Sequence, residues 1–493
     1  MSRKFRWQDH ISINILWLGL NIEIGSITPV ILPYLVALFV ADAQKNSSLA
    51  TIRVISLAVA MLVQPAVGML SDRTRHKWGR RRPYIFVGTV FSLLFLLIVG
   101  FSPQVMGSPL DNTIEPLLGV PTAYVVLLIG IILVQASANV VFGALIGFIP
   151  DLVPEDQRGR SSGVKAVLEL LPAFLIIVIG PWVDRGEIWP VIGLVMVALF
   201  VTMVITVLFV SEEPLEKVPE KGTGDYFFRL IGLTVIFVVI TQSAIWMVKS
   251  VATILVEQNA VLWQQIAVIG LAGFVGMAGA ILIGVYFGAW VGIGKEAREH
   301  KSFIWWVVNR LLFLAAVGSI QGFAFFYMQD YLSAENPGTM TTILLAFVGV
   351  FLIPSALGGG YLADRVGRKR LVLYAGLIAV AGNIVLLFAS SFPLVIVSGC
   401  ILGLGTGLFW TSNWALGTDL VPKSEAGRYL GISNLAGAGA GIVGMGIGGP
   451  IADFFNGIRT GLGYLVIFSL YAILFLLSVV ALSKVHPPAE TSE

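Results

Sequence analysis

Residues 68–83 read Gly68-Met-Leu-Ser-Asp72-Arg73-Thr-Arg-His-Lys-Trp-Gly79-Arg80-Arg81-Arg82-Pro83, directly after an apolar run. The start of this stretch returns 292 residues later as Gly360-Tyr-Leu-Ala-Asp364-Arg365-Val-Gly-Arg-Lys-Arg370. A second pair is closer still. Asp151-Leu-Val-Pro154-Glu-Asp-Gln-Arg-Gly159-Arg160 returns as Asp419-Leu-Val-Pro422-Lys-Ser-Glu-Ala-Gly427-Arg428, with Gly163 matched by Gly431. Two different loop motifs, repeated in the same order, predict a duplicated chain. Basic loops that merely anchor helices at lipid headgroups would explain the arginines, but not the repeated glycine, aspartate and proline.

The composition says what surrounds these loops. Of 493 residues, 57% are hydrophobic and 12% charged, against about 25% charged in soluble domains. So few charges cannot clothe a soluble surface of this size, and lipid is the expected solvent for much of the chain. The net charge of +3 is small, and the basic residues come in short bursts between apolar runs rather than along one face. Nucleic acid is therefore not an expected partner. The single cysteine, Cys400, excludes an intrachain disulfide and a cysteine metal cluster. His10, His76, His300 and His486 show no metal-ligand spacing, and no cofactor is expected. Arg3, Lys4 and Arg6 precede an apolar stretch as in a signal peptide. That stretch, however, runs to about Phe39 with Asn14, Asn21 and Glu23 inside it and no small-residue cleavage site after it. It reads as a retained first span.

Runs long enough to cross a bilayer, about 17–25 residues, fall near 11–40, 49–71, 83–102, 121–149, 162–182, 188–210, 227–249 and 266–291. Six more fall near 303–332, 340–362, 371–389, 392–418, 429–452 and 461–483. With a cytoplasmic N-terminus, all but five of the 31 Lys and Arg (Lys45, Arg53, Arg185, Lys249 and Arg459) fall in inner segments, as the positive-inside rule requires. One helix missed or invented would invert every later loop. The expected fold is all-α and integral to the membrane: two pseudo-symmetric six-helix bundles plus an inserted two-helix hairpin. The divisions are residues 1–210, 211–302 and 303–493, with both termini cytoplasmic in a cell membrane. An even number of inserted helices keeps the two halves in their original orientation. The polar residues of the hairpin (Gln242, Lys249, Glu257, Gln258) lie mostly near its outer turn, which suits a peripheral position.

The Gly-x-x-x-Asp-Arg loops resemble those of the major facilitator superfamily, and the resemblance covers both six-span halves. Gly79-Arg80-Arg81-Arg82-Pro83 is most similar to the ending found in sucrose–proton symporters and related glycoside–pentoside–hexuronide carriers. The resemblance implies proton-driven sugar import by alternating access. It also implies that Asp72 and Asp364 cap and pair across the cytoplasmic interface between the halves. The loop residues Gly68, Asp72, Arg73, Arg80, Asp151, Arg160, Gly360, Asp364, Arg365, Asp419 and Arg428 are the candidates for conformational gating. Small-molecule substrate, protons and bilayer are the expected partners of a functional monomer. Proton-coupled export of lipophilic drugs or lipids is the alternative, since fourteen-span exporters occur in the same superfamily. A membrane sensor that has lost transport is a third class.

Charge inside a span is costly and needs a reason. Glu23 lies twelve residues into the first span, about 18 Å at 1.5 Å per residue, and is the leading candidate to take up and release a proton. Helical geometry turns it away from Asn14, Asn21 and Thr28, so the two sets cannot line one cavity. Glu169 is the second coupling candidate, four residues from Lys165 and within reach of an i,i+4 pair. Arg310 lies about two turns into the ninth span, within snorkelling reach of the inner face. Asp330 ends that span and reads as a solvated terminus. The substrate-binding candidates are uncharged: Asn21, Gln135, Asn139, Gln321, Trp410, Asn413 and Trp414. Amides donate to and accept from sugar hydroxyls, and an indole covers the apolar face of a sugar ring. Pro29 and Pro33 after Gly25 predict a kinked first span. Gly439-Ala-Gly441-Ile-Val-Gly444 matches a dinucleotide fingerprint only formally, because no strand precedes it. It reads as small-residue helix packing. No metalloprotease, P-loop or nucleophile-elbow motif is present, so an enzyme is not expected.

Overall fold

The structure, a computed structural model, describes residues 6–212, 224–293, 300–421 and 426–486. Among them are fourteen helices long and apolar enough to cross a membrane, as the sequence predicts. They are α1 (Trp7–Phe39), α2 (Asp42–Ser71), α3 (Arg82–Val105), α4 (Thr122–Leu152), α5 (Glu155–Asp184), α6 (Ile188–Phe209) and α7 (Ile231–Glu257). The remainder are α8 (Leu262–Val291), α9 (Lys301–Tyr331), α10 (Pro337–Val366), α11 (Arg368–Leu387), α12 (Phe392–Asp419), α13 (Gly437–Ile458) and α14 (Leu462–Ser483). Helices dominate for a physical reason: in lipid each backbone N–H and C=O must be satisfied within its own segment.

The chain forms two compact units. One holds residues 1–41 and 59–227, and the other holds 42–58 and 228–493. The start of α2 therefore packs with the second unit. Within the first, α1 packs on α5 and α6, and α3 packs on α4 and α6. Within the second, α9 packs on α13 and α14, and α11 packs on α12 and α14. The same pairings recur eight helices later, which is the duplication seen at the level of packing.

Small residues allow these helices to approach. A Cβ added at Gly143 of α4 would stand 2.5 Å from the Gln64 carbonyl oxygen of α2. One added at Gly403 of α12 would stand 2.5 Å from the Val348 carbonyl oxygen of α10. Hydrophobic association is weak between helices in lipid, so backbone proximity of this kind supplies much of the packing energy.

The kink predicted for α1 takes the form of a π-helical stretch over Ile27–Ile31, which holds Pro29 and lies just before Pro33. Proline lacks the N–H that an α-turn uses, and the wider turn accommodates the loss. A second π-helical stretch, Tyr327–Tyr331, ends α9 without a proline. The inserted hairpin, α7 and α8, closes on itself where Gly284 and Gly288 receive Phe237 and Leu233. Its inner side packs on α13, with Phe237 also against Gly439 and Ile451 against Gly273. Trp246, Trp263 and Leu271 stay exposed on its other side, where hydrocarbon is the natural environment.

Candidate functional site

The repeated loops build a similar device in each half. Gly68 faces the backbone of Gly143 on α4, and Gly360 faces Thr411 on α12. One helix turn beyond Gly68 stands Asp72. The Arg81 guanidinium joins Asp72 at the end of α2 to Asp151 at the end of α4, at 2.7 and 2.5 Å. Arg80 reaches the other oxygen of Asp151 at 2.5 Å. In the second half Arg368 joins Asp364, at 3.7 Å, to Asp419. One arginine thus ties the ends of the second and fourth helices of each half.

The two copies differ in burial. Arg81 is 6% exposed; it donates also to the Ala144 carbonyl and lies flat against Gly147. Arg368 keeps about a third of its side chain in the open (36%). Glu212, just beyond α6, accepts the backbone N–H groups of Arg82 at 3.0 Å and Arg81 at 3.1 Å, capping the start of α3. Burial pushes its carboxyl above the ordinary range, opposed by those bonds and by the nearby arginines. Gly79 is required for this cap. Its φ is +98°, and a Cβ there would collide with the Glu212 side chain. Of the other gating candidates, Arg73 is half-buried and Arg160 exposed, while Arg365 lies 4.3 Å over the Tyr361 ring. The side chain of Arg428 lies outside the described residues.

In the first unit Glu23 is buried against α3. The Ser92 hydroxyl donates to its Oε1 at 2.7 Å. Its Oε2 is buried without a hydrogen-bond partner, and so is the Thr89 hydroxyl one turn from Ser92. Asn21, Gly25 and Thr28 share the partly open face of α1, away from Glu23. Asn14 leaves that set, being buried with its amide donating to Ser161 at 2.9 Å. Asn21 donates to the Trp17 carbonyl, and Asn139 to that of Gln135, each at 2.8 Å. Lys165 and Glu169 form the expected i,i+4 pair at 3.2 Å, with the ammonium 4.0 Å over Trp17.

In the second unit α9 and α12 assemble a polar cluster. Asn413 donates to Asn309 Oδ1 at 2.8 Å and accepts from Arg310 at 3.1 Å. The Trp306 indole N–H donates to the Asn413 carbonyl at 2.9 Å. Asn309 in turn donates to Ser478 of α14 at 2.8 Å. The Arg310 guanidinium lies 5.9 Å from the Trp306 ring and 5.1 Å from that of Trp414. The Asn413 side-chain oxygen and the two indoles hold it between α9 and α12. Gln321 and Gly318 are exposed on the α9 side that Arg310 shares. Trp410 is 45% exposed and makes no ring or hydrogen-bond contact among the described residues.

Asp330 is not a solvated terminus. It pairs with Lys45 at 2.7 Å and accepts from the Tyr464 hydroxyl at 2.5 Å. Lys45, one of the basic residues outside the inner loops, is 3% exposed. Nearby, Asp453 of α13 accepts the backbone N–H groups of Asn46 and Ser47 at 3.0 and 2.7 Å, capping the start of α2. Sequence reasoning missed Arg81, Arg368, Glu212, Asn309, Lys45 and Asp453 as bridging groups. Only the run of arginines before α3 hinted at the first.

Comparison with known proteins places these features in a family. The chain is 29% identical over 178 residues to the general alpha-glucoside permease of Schizosaccharomyces pombe, covering 34% of this chain and 32% of that protein. It is 37% identical over 108 residues to the sucrose transport protein SUC3 of Arabidopsis thaliana, covering 21% and 18%. These matches span less than a third of each relative's own length. A crystal structure of a D-xylose-proton symporter shares the fold over 99% of this chain and all of that one, with a TM-score of 0.64 at 14% identity. The family profile described as Major Facilitator Superfamily matches residues 18–326 and 310–493, and the chain belongs to that superfamily as a multi-pass membrane protein.

Proposed function

We propose that the protein is a secondary active transporter that moves a small polar solute, a disaccharide-like sugar, together with a proton by alternating access. The sugar half of this reading is supported by what its relatives are named for, sucrose and α-glucosides, and by the chemistry of the binding candidates. Asn21, Gln135, Asn139, Gln321 and Asn413 offer neutral donors and acceptors. Trp410 and Trp414 offer apolar faces, and Arg310 adds a guanidinium beside them. The proton half rests on one observation: Glu23 is buried with one carboxyl oxygen unpartnered. An ionised carboxylate in that position lacks solvation, so loss and gain of a proton would change the local packing of α1 against α3. Glu169, already paired with Lys165, is the second coupling candidate.

The Asp–Arg–Asp bridges would then act as the gates, formed in one state and opened in the other. In this reading both termini are cytoplasmic, the monomer is the working unit, and the halves 1–210 and 303–493 carry out the alternation, with the inserted segment 211–302 peripheral. The test is uptake of labelled sucrose and maltose into proteoliposomes with an imposed inside-alkaline gradient. Accumulation abolished by a protonophore supports the reading. No uptake of either sugar by folded, inserted protein removes it.

A further inference from the structure

The inserted hairpin closes one side of a groove that the transport reading does not use. The groove lies between α7, the start of α2 and the end of α13, with a volume of about 480 Å³, within the ~300–1,000 Å³ usual for small-molecule sites. Its walls are mainly apolar and include Val248, Ala252, Val256, Ile451 and Phe454. One cation lines it. Lys249 is exposed within an otherwise apolar span, eight residues before the end of α7 at Glu257, or about 12 Å along the helix. No carboxylate among the described residues pairs with it. Asp453, which also lines the groove, is engaged by the N–H groups that open α2. Glu257 lies at the rim, exposed.

We infer that this groove binds a membrane phospholipid, with an acyl chain along the apolar walls and the phosphate on Lys249. A sugar would leave its hydroxyls facing Val256, Ile451 and Phe454 without partners. A free anion would satisfy Lys249 and leave the apolar walls bare. A phospholipid satisfies both, and its phosphate supplies the counter-charge that a lysine at this depth lacks. The lysine stem, snorkelling along the groove, brings its ammonium toward the headgroup region.

Native mass spectrometry of the full chain, titrated with dipalmitoyl phosphatidylglycerol, tests this inference. Lys249→Ala is expected to weaken the first bound lipid about tenfold, and Lys249→Arg to restore it, because the interaction is a charge-assisted contact with phosphate. Thr253→Trp, which fills the groove and leaves the charge in place, is expected to weaken it as well. The thermal unfolding midpoint of each variant reports folding. Three results would overturn the inference: unchanged lipid binding by folded Lys249→Ala, equal binding of dipalmitoylglycerol, which has no phosphate, or displacement of the lipid by inorganic phosphate alone.

Discussion

Lys45 and Asp330 are 285 residues apart in sequence and 2.7 Å apart in space. The pair is shielded by Phe326, whose ring lies 5.2 Å from the ammonium, and by Tyr464, which donates to the second Asp330 oxygen. Together with the Asp453 cap it fastens the first turns of α2 to α9 and α13. Removing Lys45 would leave the Asp330 carboxylate without its cation, a loss of about 3–5 kcal/mol where pairing is complete, whereas without Asp330 the ammonium keeps only the exposed Asp42, at 3.1 Å. Asp330→Asn and Lys45→Met should each lower the unfolding midpoint in detergent. The double variant Lys45→Met/Asp330→Leu should recover most of that loss, because it removes both charges together. A double-mutant cycle measures the coupling; additive losses would mean the pair contributes nothing specific.

Glu23→Gln keeps an acceptor for Ser92 and removes the ionisable proton. Under the symport reading, gradient-driven sugar accumulation should fall by about tenfold or more while exchange of sugar across the membrane at zero gradient persists, since only the coupled charge is lost. The pH dependence of uptake should flatten in the same variant. Ser92→Ala, which removes the one donor, should shift that dependence without abolishing it. Accumulation by Glu23→Gln equal to the wild type, with its pH profile unchanged, would sink the assignment.

The two Asp–Arg–Asp bridges have the same plan and different burial, which makes them a controlled pair. Arg81→Lys loses the fork that reaches Asp72 and Asp151 together, from a buried position, and should cost about 1.5–3 kcal/mol. Arg368→Lys acts on a bridge whose arginine side chain is about a third exposed, and should cost about 1 kcal/mol or less. Unfolding midpoints of the two variants side by side check the ordering. Equal losses would show that burial does not set the strength of these bridges.

The length of the apolar runs made the fourteen spans legible in the sequence, and the duplicated loops made the two halves legible, because Gly68/Gly360 and Asp151/Asp419 recur with intact neighbours. The bridging arginines were not legible. Arg81 follows Asp72 by nine residues, whereas Arg368 follows Asp364 by four, so no fixed spacing marks the role. What the two share is a place at the start of the next helix, Arg81 just before α3 and Arg368 as the first residue of α11, and only the fold reveals that. Glu23 declared itself by depth alone, since residue count gives distance along a helix. Its partner Ser92 could not be chosen among the many hydroxyls of neighbouring spans. Asp330 misled for a related reason: a carboxylate at a helix end is usually solvated, and Lys45 reaches it from a helix far away in sequence.

The cluster around Asn413 yields the most discriminating test of where substrate binds. Asn413 is buried and shares its side-chain amide between Asn309 and Arg310, so it sets the position of the guanidinium between Trp306 and Trp414. Asn413→Leu removes both bonds and leaves Arg310 without its acceptor. Losing a buried hydrogen bond costs about 1–3 kcal/mol, so sugar affinity should weaken about tenfold if Arg310 contacts substrate. Arg310→Lys should weaken it comparably, because an ammonium cannot hold the amide and stack on indole in the same geometry. Trp410, exposed and outside the cluster, should tolerate replacement by Phe with affinity changed by less than about threefold. Concentration dependence of sugar exchange in the three variants, each checked for its unfolding midpoint, gives the ordering. Should Trp410→Phe prove the most damaging and Arg310→Lys neutral, substrate would lie along the exposed face of α12, and Asn413 would serve only to pack α12 on α9.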